Sequence, residues 1–226
     1  VLSISRWEWF GDLEWWEVRN RPRIKIDYID KIKERSKYAE AVAPVLQRGA
    51  SLSRGDLGAR SQIFGTTPDY LKTTKYGVAE GRFFTKGEDR SGARVALLGH
   101  DVAENLFPNQ DPIGKYFKID GIRFKALGVM EKQGKFLGLF SFDTQVIIPS
   151  GTSQRLFSKR GFLRISVKVP EDKISESKDE IYGIMRQIRG LKPKEKDDFA
   201  VNQTEAFEST YNPVSYTHLT LPTMRT

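Results

Sequence analysis

Apolar positions along the chain follow two rhythms, a period of two that suits half-buried strands and a wider spacing that suits amphipathic helices. Ile24 and Ile26 alternate with Arg23 and Lys25, and Pro22 holds Arg21 extended, so a short extended lead-in opens the regular part. Asp27 is an N-cap type, and Ile29, Ile32 and Tyr38 recur at roughly helical spacing among charged residues, which predicts a helix over 28–39. Strands are expected over 42–51 and 59–64, joined by the turn-rich Arg54-Gly55-Asp56-Leu57-Gly58. Residues 65–92 are rich in Gly, Thr and charge, with a one-turn helix start at Thr67-Pro68-Asp69-Tyr70.

The pattern then tightens. Residues 95–98 read as a short buried strand, Gly99 as a break and 101–107 as a short helix. Segments 116–119 and 122–130 flank Asp120-Gly121, a dipeptide that favours a two-residue type I′ turn because both central positions take positive φ. An apolar, glycine-containing loop over 134–142 precedes a strand at 144–148 and a helix at 150–157. Leu163, Ile165 and Val167 alternate with Arg164, Ser166 and Lys168, the signature of a half-buried strand over 162–169. After Pro170 and a capping Asp172, Ile174, Ile181, Ile184, Met185 and Ile188 line one stripe of a long helix that Gly190 ends. Residues 199–202 form a last strand, and no internal repeat is evident.

Composition narrows the function classes. The 226 residues contain no cysteine, which excludes a disulfide framework, a cysteine zinc site and a cysteine nucleophile, and leaves the redox compartment open. No run of 18 apolar residues occurs, so the chain as given carries no membrane span, and its start does not read as a signal peptide. The net charge of +8 is compatible with nucleic acid, an anionic surface or nothing specific. Its two basic strings, Arg19 to Lys25 and Lys192 to Lys196, are interleaved with or followed by acids and prolines and match no nucleic-acid-binding motif. A free-standing basic binding protein for nucleic acid or acidic polymer remains the alternative reading.

Catalytic signals are thin. With only His100 and His218, a histidine triad or a multi-histidine metal site has too few ligands, and His100 after Gly99 suits a helix entry. The nearest approach to a phosphate loop, Gly128 to Gly134-Lys135-Phe136, has the wrong spacing and phenylalanine where a hydroxyl is needed. The pairs Glu88-Asp89 and Asp197-Asp198 adjoin basic residues, as surface charge does, and nothing sets them across one cavity as a hydrolase requires. Turn chemistry accounts for Arg54-Gly55-Asp56, an adhesion tripeptide, and Asn202-Gln203-Thr204 is a common glycosylation match. All four tryptophans fall in residues 7–16, a strip that suits the domain's own core, a partner surface or a water–membrane interface.

Several ordered strings carry a family resemblance: Gly81-Arg82-Phe83-Phe84-Thr85, Ala93-Arg94-Val95-Ala96-Leu97-Leu98-Gly99, Ala103-Glu104-Asn105-Leu106-Phe107, Asp111-Pro112-Ile113-Gly114-Lys115 and Gly128-Val129-Met130. Together with Trp15-Trp16, Arg19-Asn20-Arg21-Pro22, Glu40-Ala41-Val42-Ala43-Pro44, Ile147-Ile148-Pro149 and Gln154-Arg155-Leu156-Phe157, they resemble the extracytoplasmic core domain of MacB-like ABC-transporter permeases over about residues 3–208. The resemblance implies an α+β fold: a porter-like α/β subdomain from 28–91 and 143–208, with a smaller, mostly-β, sabre-like subdomain inserted at 92–142. Residues 1–27 would lead in from a first transmembrane helix that this chain lacks.

It further implies a periplasmic, noncatalytic part of a permease, anchored to the membrane in the full-length protein and used in export or lipoprotein release. The implied partners are a second permease protomer, cytoplasmic ATPase subunits reached through membrane helices, and a periplasmic adaptor; nucleic acid is not among them. No cofactor is expected in this chain, ATP belonging to the separate nucleotide-binding subunit. Contact with substrate or partner is assigned to Phe136, Leu137, Leu139 and Phe140 of the apolar loop, against a role as a packed connector, and then to Trp15 and Trp16. Residues 214–226, with threonine at every third position, resemble the translation of a sequencing adapter and are set aside from the fold.

Overall fold

The structure is a computed structural model and describes residues 1–9, 15–136, 140–157 and 161–203, with only the backbone described at 15–17, 135–136 and 140–142. In chain order, strand β1 (Leu2–Ser5) is followed by helices α1 (Trp15–Asn20) and α2 (Tyr28–Arg35), then by the long hairpin β2 (Ala41–Arg54) and β3 (Leu57–Thr66). Helix α3 (Tyr70–Thr73), strand β4 (Val78–Gly81) and helix α4 (Lys86–Ser91) lead to β5 (Val95–Leu98) and α5 (His100–Leu106). The hairpin β6 (Tyr116–Ile119) and β7 (Ile122–Met130) and a small hairpin, β8 (Lys135–Phe136) with β9 (Phe140–Ser141), come next. The chain ends its described part with β10 (Gln145–Pro149), α6 (Ser150–Phe157), β11 (Phe162–Lys168), α7 (Ile174–Arg189) and β12 (Ala200–Gln203). This is a mixed α and β fold.

Two architectures share one ten-stranded sheet. At one end β12, β1, β11 and β2 lie antiparallel, and α2 and α7 cover one face. Leu2, Ile4, Val42, Ile165, Val167 and Val201 on that face meet Ile29 and Ile32 of α2 and Ile181, Ile184 and Met185 of α7. At the other end the pairings β2–β3, β3–β10, β10–β5, β5–β7, β7–β6 and β6–β2 run in a ring, so the sheet closes into a six-stranded mixed barrel. Phe117, Phe124, Ile119, Leu98, Ile63 and Leu52 fill the barrel, and Val102, Leu106 and Phe107 from α5 and its C-terminal end join the same core. Leu52, Ile63, Val146 and Ile148 come from outside 92–142, so β2, β3 and β10 complete a core whose other strands lie within that segment.

The turns show why the strands close this way. Asp120 and Gly121 have φ of 46° and 81°, which brings Ile119 opposite Ile122 as the dipeptide predicts. That turn docks on β2: Asp120 N–H donates to the Ser51 carbonyl at 2.8 Å, and its carboxylate accepts from Ser51 N–H at 2.9 Å. Gly81 sits at φ +80° where a Cβ would collide with the Leu127 carbonyl, so glycine lets β4 lie against β7.

Other local expectations are corrected. Helix α2 stops at Arg35 rather than 39, because Ser36 turns extended and the Glu180 carboxylate takes the Ser36 hydroxyl and the Lys37 N–H. Asp27 makes no side-chain cap and pairs with Lys31 at 3.3 Å instead. Asp172 lies in a 3-10 turn, Glu171–Lys173, and does not cap α7. The stretch 65–92, read from its sequence as rich in Gly, Thr and charge, also contains helix α4, closed by a capping box between Thr85 and Glu88. Leu2–Ser5, expected only as lead-in, is an interior strand between β11 and β12. Residues 214–226 lie outside the described residues.

Candidate functional site

The nominated apolar loop is a hairpin standing on a buried foot. Lys135 pairs with Ser141 and Phe136 with Phe140, while Leu137 and Leu139 lie outside the described residues. Asp143, 3% exposed, holds the base by accepting Gln133 N–H and Gly134 N–H at 2.7 Å each. Two backbone donors on one carboxylate hold the chain at residues 133–134, where it enters the hairpin, against Asp143, where it leaves. The other nominated residues, Trp15 and Trp16, open α1. Arg6 Nη2 donates to the Val18 and Arg19 carbonyls at 2.6 and 2.9 Å, satisfying that helix's C-terminal end. The structure therefore places the two candidates on separate elements, one beside the barrel and one beside β1.

The acidic pairs have structural partners. Glu88 receives a bidentate Arg82 at 2.7 and 2.8 Å and the Thr85 N–H, and this arrangement, led by Arg82, lowers its pKa from the usual 4.5 to about 2. Asp89 accepts Gly151 N–H at 2.9 Å and the Ser150 hydroxyl at 3.0 Å, tying α4 to the start of α6. Asp197 pairs with Arg186, and Asp198 with Arg189. Arg54 of the adhesion-like tripeptide donates to the Leu106 carbonyl at 3.0 Å and lies over the Phe107 ring. Asn202 of the glycosylation match is buried; it accepts Trp9 N–H and donates to the Ser5 hydroxyl and the Trp7 carbonyl, each at 3.0 Å. His100 begins α5, as its sequence position suggested, with Nδ1 3.7 Å from both Asp101 and Glu104 on a partly exposed helical turn.

The cavity that sequence reasoning missed lies where β2 passes from the layered sheet into the barrel. It has a volume of about 420 Å³ and is lined by Arg6, Trp7, Arg23, Lys25, Arg48 and Phe157 among others. Trp7 stands edge-on to Phe162 at 5.6 Å between ring centres, and the Arg48 guanidinium lies 4.2 Å from the Phe157 ring centre. Burial first, and then the neighbouring guanidinium groups of Arg23, Arg189 and Arg21, lower the Arg6 pKa below its ordinary value. The Arg19-to-Lys25 basic string was visible, but not its meeting with Arg6 and Arg48, which are distant in sequence.

Part of that basic segment is tied to the rest of the chain. Arg21 donates to the Arg6 carbonyl at 2.8 Å, and Arg189 reaches the Pro22 carbonyl at 3.0 Å. These contacts pin the lead-in against β1 and α7, a role that the net charge does not reveal.

The sequence profile of the MacB-like periplasmic core domain matches residues 1–182. The chain belongs to this family. Among curated relatives, the macrolide export ATP-binding/permease protein MacB of Rhodospirillum rubrum is 33% identical over 170 residues, 74% of this chain and 25% of that protein. The pyoverdine export ATP-binding/permease protein PvdT of Pseudomonas syringae pv. syringae is 27% identical over 150 residues, 65% of this chain and 23% of the relative. The MacB-like chain thus spans about a quarter of the length of these relatives. Its fold is that of the periplasmic region of MacB from Actinobacillus actinomycetemcomitans, with a TM-score of 0.75, 18% identity and coverage of 95% of this chain and 94% of the other. The extracellular domain of the noncanonic ABC-type transporter YknZ from Gram-positive bacteria matches at a TM-score of 0.69 and 19% identity, covering 88% and 98% of the two chains. Among the described residues of this MacB-like domain, no helix is long and apolar enough to cross a membrane.

Proposed function

We propose that this chain is the extracytoplasmic domain of an ABC-transporter permease, a noncatalytic moving part that carries ATP-driven conformational change from membrane helices to substrate or partner proteins during export or lipoprotein release. The observation that carries this reading is the family match over residues 1–182, supported by fold similarity along nearly the whole length of the MacB periplasmic region. In this reading the domain lies on the periplasmic face of the membrane. It dimerises with a second permease protomer, connects through membrane helices to cytoplasmic ATPase subunits that hold the ATP, and meets a periplasmic adaptor.

In this reading 28–91 with 143–208 make up the porter-like part and 92–142 the sabre-like insertion, and β2, β3 and β10 of the former complete the barrel around the latter. A continuous strand suits mechanical transmission: β2 has 14 residues, spans about 46 Å when extended, and contributes Val42 to the layered core and Leu52 to the barrel core. The β8–β9 hairpin with Phe136, Leu137, Leu139 and Phe140, and α1 with Trp15 and Trp16, are the proposed contact elements. Recovery of the full-length reading frame tests the proposal. One hydrophobic span before the domain and three after it are expected, with an ATPase gene nearby; a self-contained soluble product overturns it.

A further inference from the structure

The cavity beside β2 has an unusual charge balance. Arg6, Arg23, Lys25 and Arg48 line it, and no carboxylate is among its described lining residues. The Arg48 side chain is only 9% exposed; its Nη2 pairs with Asp120, while Nε and Nη1 are buried without a hydrogen-bond partner among the described residues. The Nε of Arg6 is buried and unpartnered as well. Buried guanidinium donors without acceptors are costly, and like charges gathered in one cavity add repulsion, so an anion there relieves both. The walls differ from a simple ion site, because Trp7 and the 60% exposed Phe162 offer an aromatic face next to the cations. The volume of about 420 Å³ is that of a small-molecule site.

We infer that this cavity binds an oxyanion of the phosphate type, held by Arg48, Arg6 and Lys25, with room for an apolar body to lie along Trp7 and Phe162. Arginine suits such a ligand because its planar fork matches phosphate oxygens, and two of the cations are already fixed in place: Arg48 by Asp120 and the Phe157 ring, Arg6 by the carbonyls at the end of α1. Lys25, exposed at the rim, adds attraction that salt screens. The phosphate can come from a lipid headgroup or from a free anion, and the inference stands apart from the transport reading because the cavity belongs to this chain alone.

The test is titration of the 226-residue chain with dihexanoylphosphatidic acid, inorganic phosphate and the uncharged amphiphile octyl glucoside, followed by tryptophan fluorescence and calorimetry. Saturable one-to-one binding of a phosphate compound is expected, weakening as salt rises. Tighter binding of the phosphatidic acid identifies a lipid source, and equal binding of inorganic phosphate a free anion. Arg48→Gln should weaken binding by about tenfold, and Lys25→Gln, at an exposed position that leaves the fold intact, by about threefold. No saturable binding of either phosphate, octyl glucoside binding as tightly as the phosphatidic acid, or a Lys25→Gln variant that melts and binds like the parent overturns the inference.

Discussion

The layered end and the barrel end of this domain solve the same problem, burial of a sheet face, in opposite ways. In the layered region the sheet stays open and brings α2 and α7 to one face, with β12 at the sheet edge. The barrel closes on itself through β6–β2, so its strands have lateral partners all round and the core is packed from within by Phe117 and Phe124. Both ends depend on long-range pairings, β1–β11 and β1–β12 in the layered sheet and β6–β2 in the barrel, and the layered end depends on the docking of α2 and α7 as well. The two are not independent bodies, because β2 serves both.

The largest effect expected from breaking one side is Phe124→Ala. Phe124 is fully buried beside Phe117, and its truncation should cost about 3–5 kcal/mol, measured by urea unfolding. Because β2 is shared, hydrogen exchange should quicken at β2 amides near Val42 as well as near Leu52. Exchange that quickens in the barrel alone would show that the two cores unfold separately. The matching change at the layered end is Ile181→Ala on α7, expected to cost about 2–4 kcal/mol.

Smaller effects sharpen the comparison at single polar anchors. Asp143→Ala removes the acceptor for Gln133 and Gly134 N–H and should destabilise by about 1.5–3 kcal/mol, with fast exchange confined to the β8–β9 hairpin. Asn202→Ala acts at the layered end, where one side chain joins β12 to Ser5 and to the Trp7 and Trp9 backbone. Its expected cost is about 1–2 kcal/mol, with a shift of tryptophan emission that Asp143→Ala does not produce.

The legibility of this fold in the sequence follows range of interaction. The Asp120-Gly121 hairpin was plain because both its turn chemistry and its flanking alternation are local, and α7 because its stripe and Gly190 are local too. Barrel closure was not, since pairing of Ile119 with Leu52 or of Val146 with Ile63 leaves no mark on either segment alone. Strand β1 was hidden because Ser3 and Ser5 alternate as a solvent-facing row would, yet both are buried in the folded chain. The cationic cavity was hidden for the same reason as the barrel. By contrast, the Thr85-to-Glu88 capping box was present at its usual spacing, and with it α4 was open to detection from local residues.

That capping box gives the smallest and most specific effect. Glu88 has its pKa lowered to about 2, first by Arg82 and then by the Thr85 N–H, so the folded state binds its proton less readily than the unfolded chain. The stabilisation is therefore complete above the usual carboxyl value of 4.5 and is lost as pH falls from there towards about 2. Glu88→Gln should cost only about 0.5–1 kcal/mol at neutral pH, since the Arg82 side of the pair is half exposed. The decisive measurement is the difference in urea midpoint between parent and variant: it should shrink through the acid range and vanish at its lower end. A difference that stays constant with pH would assign the effect to helix capping geometry rather than to the charge pair, and would leave Arg82 without an electrostatic role in holding α4 against β4.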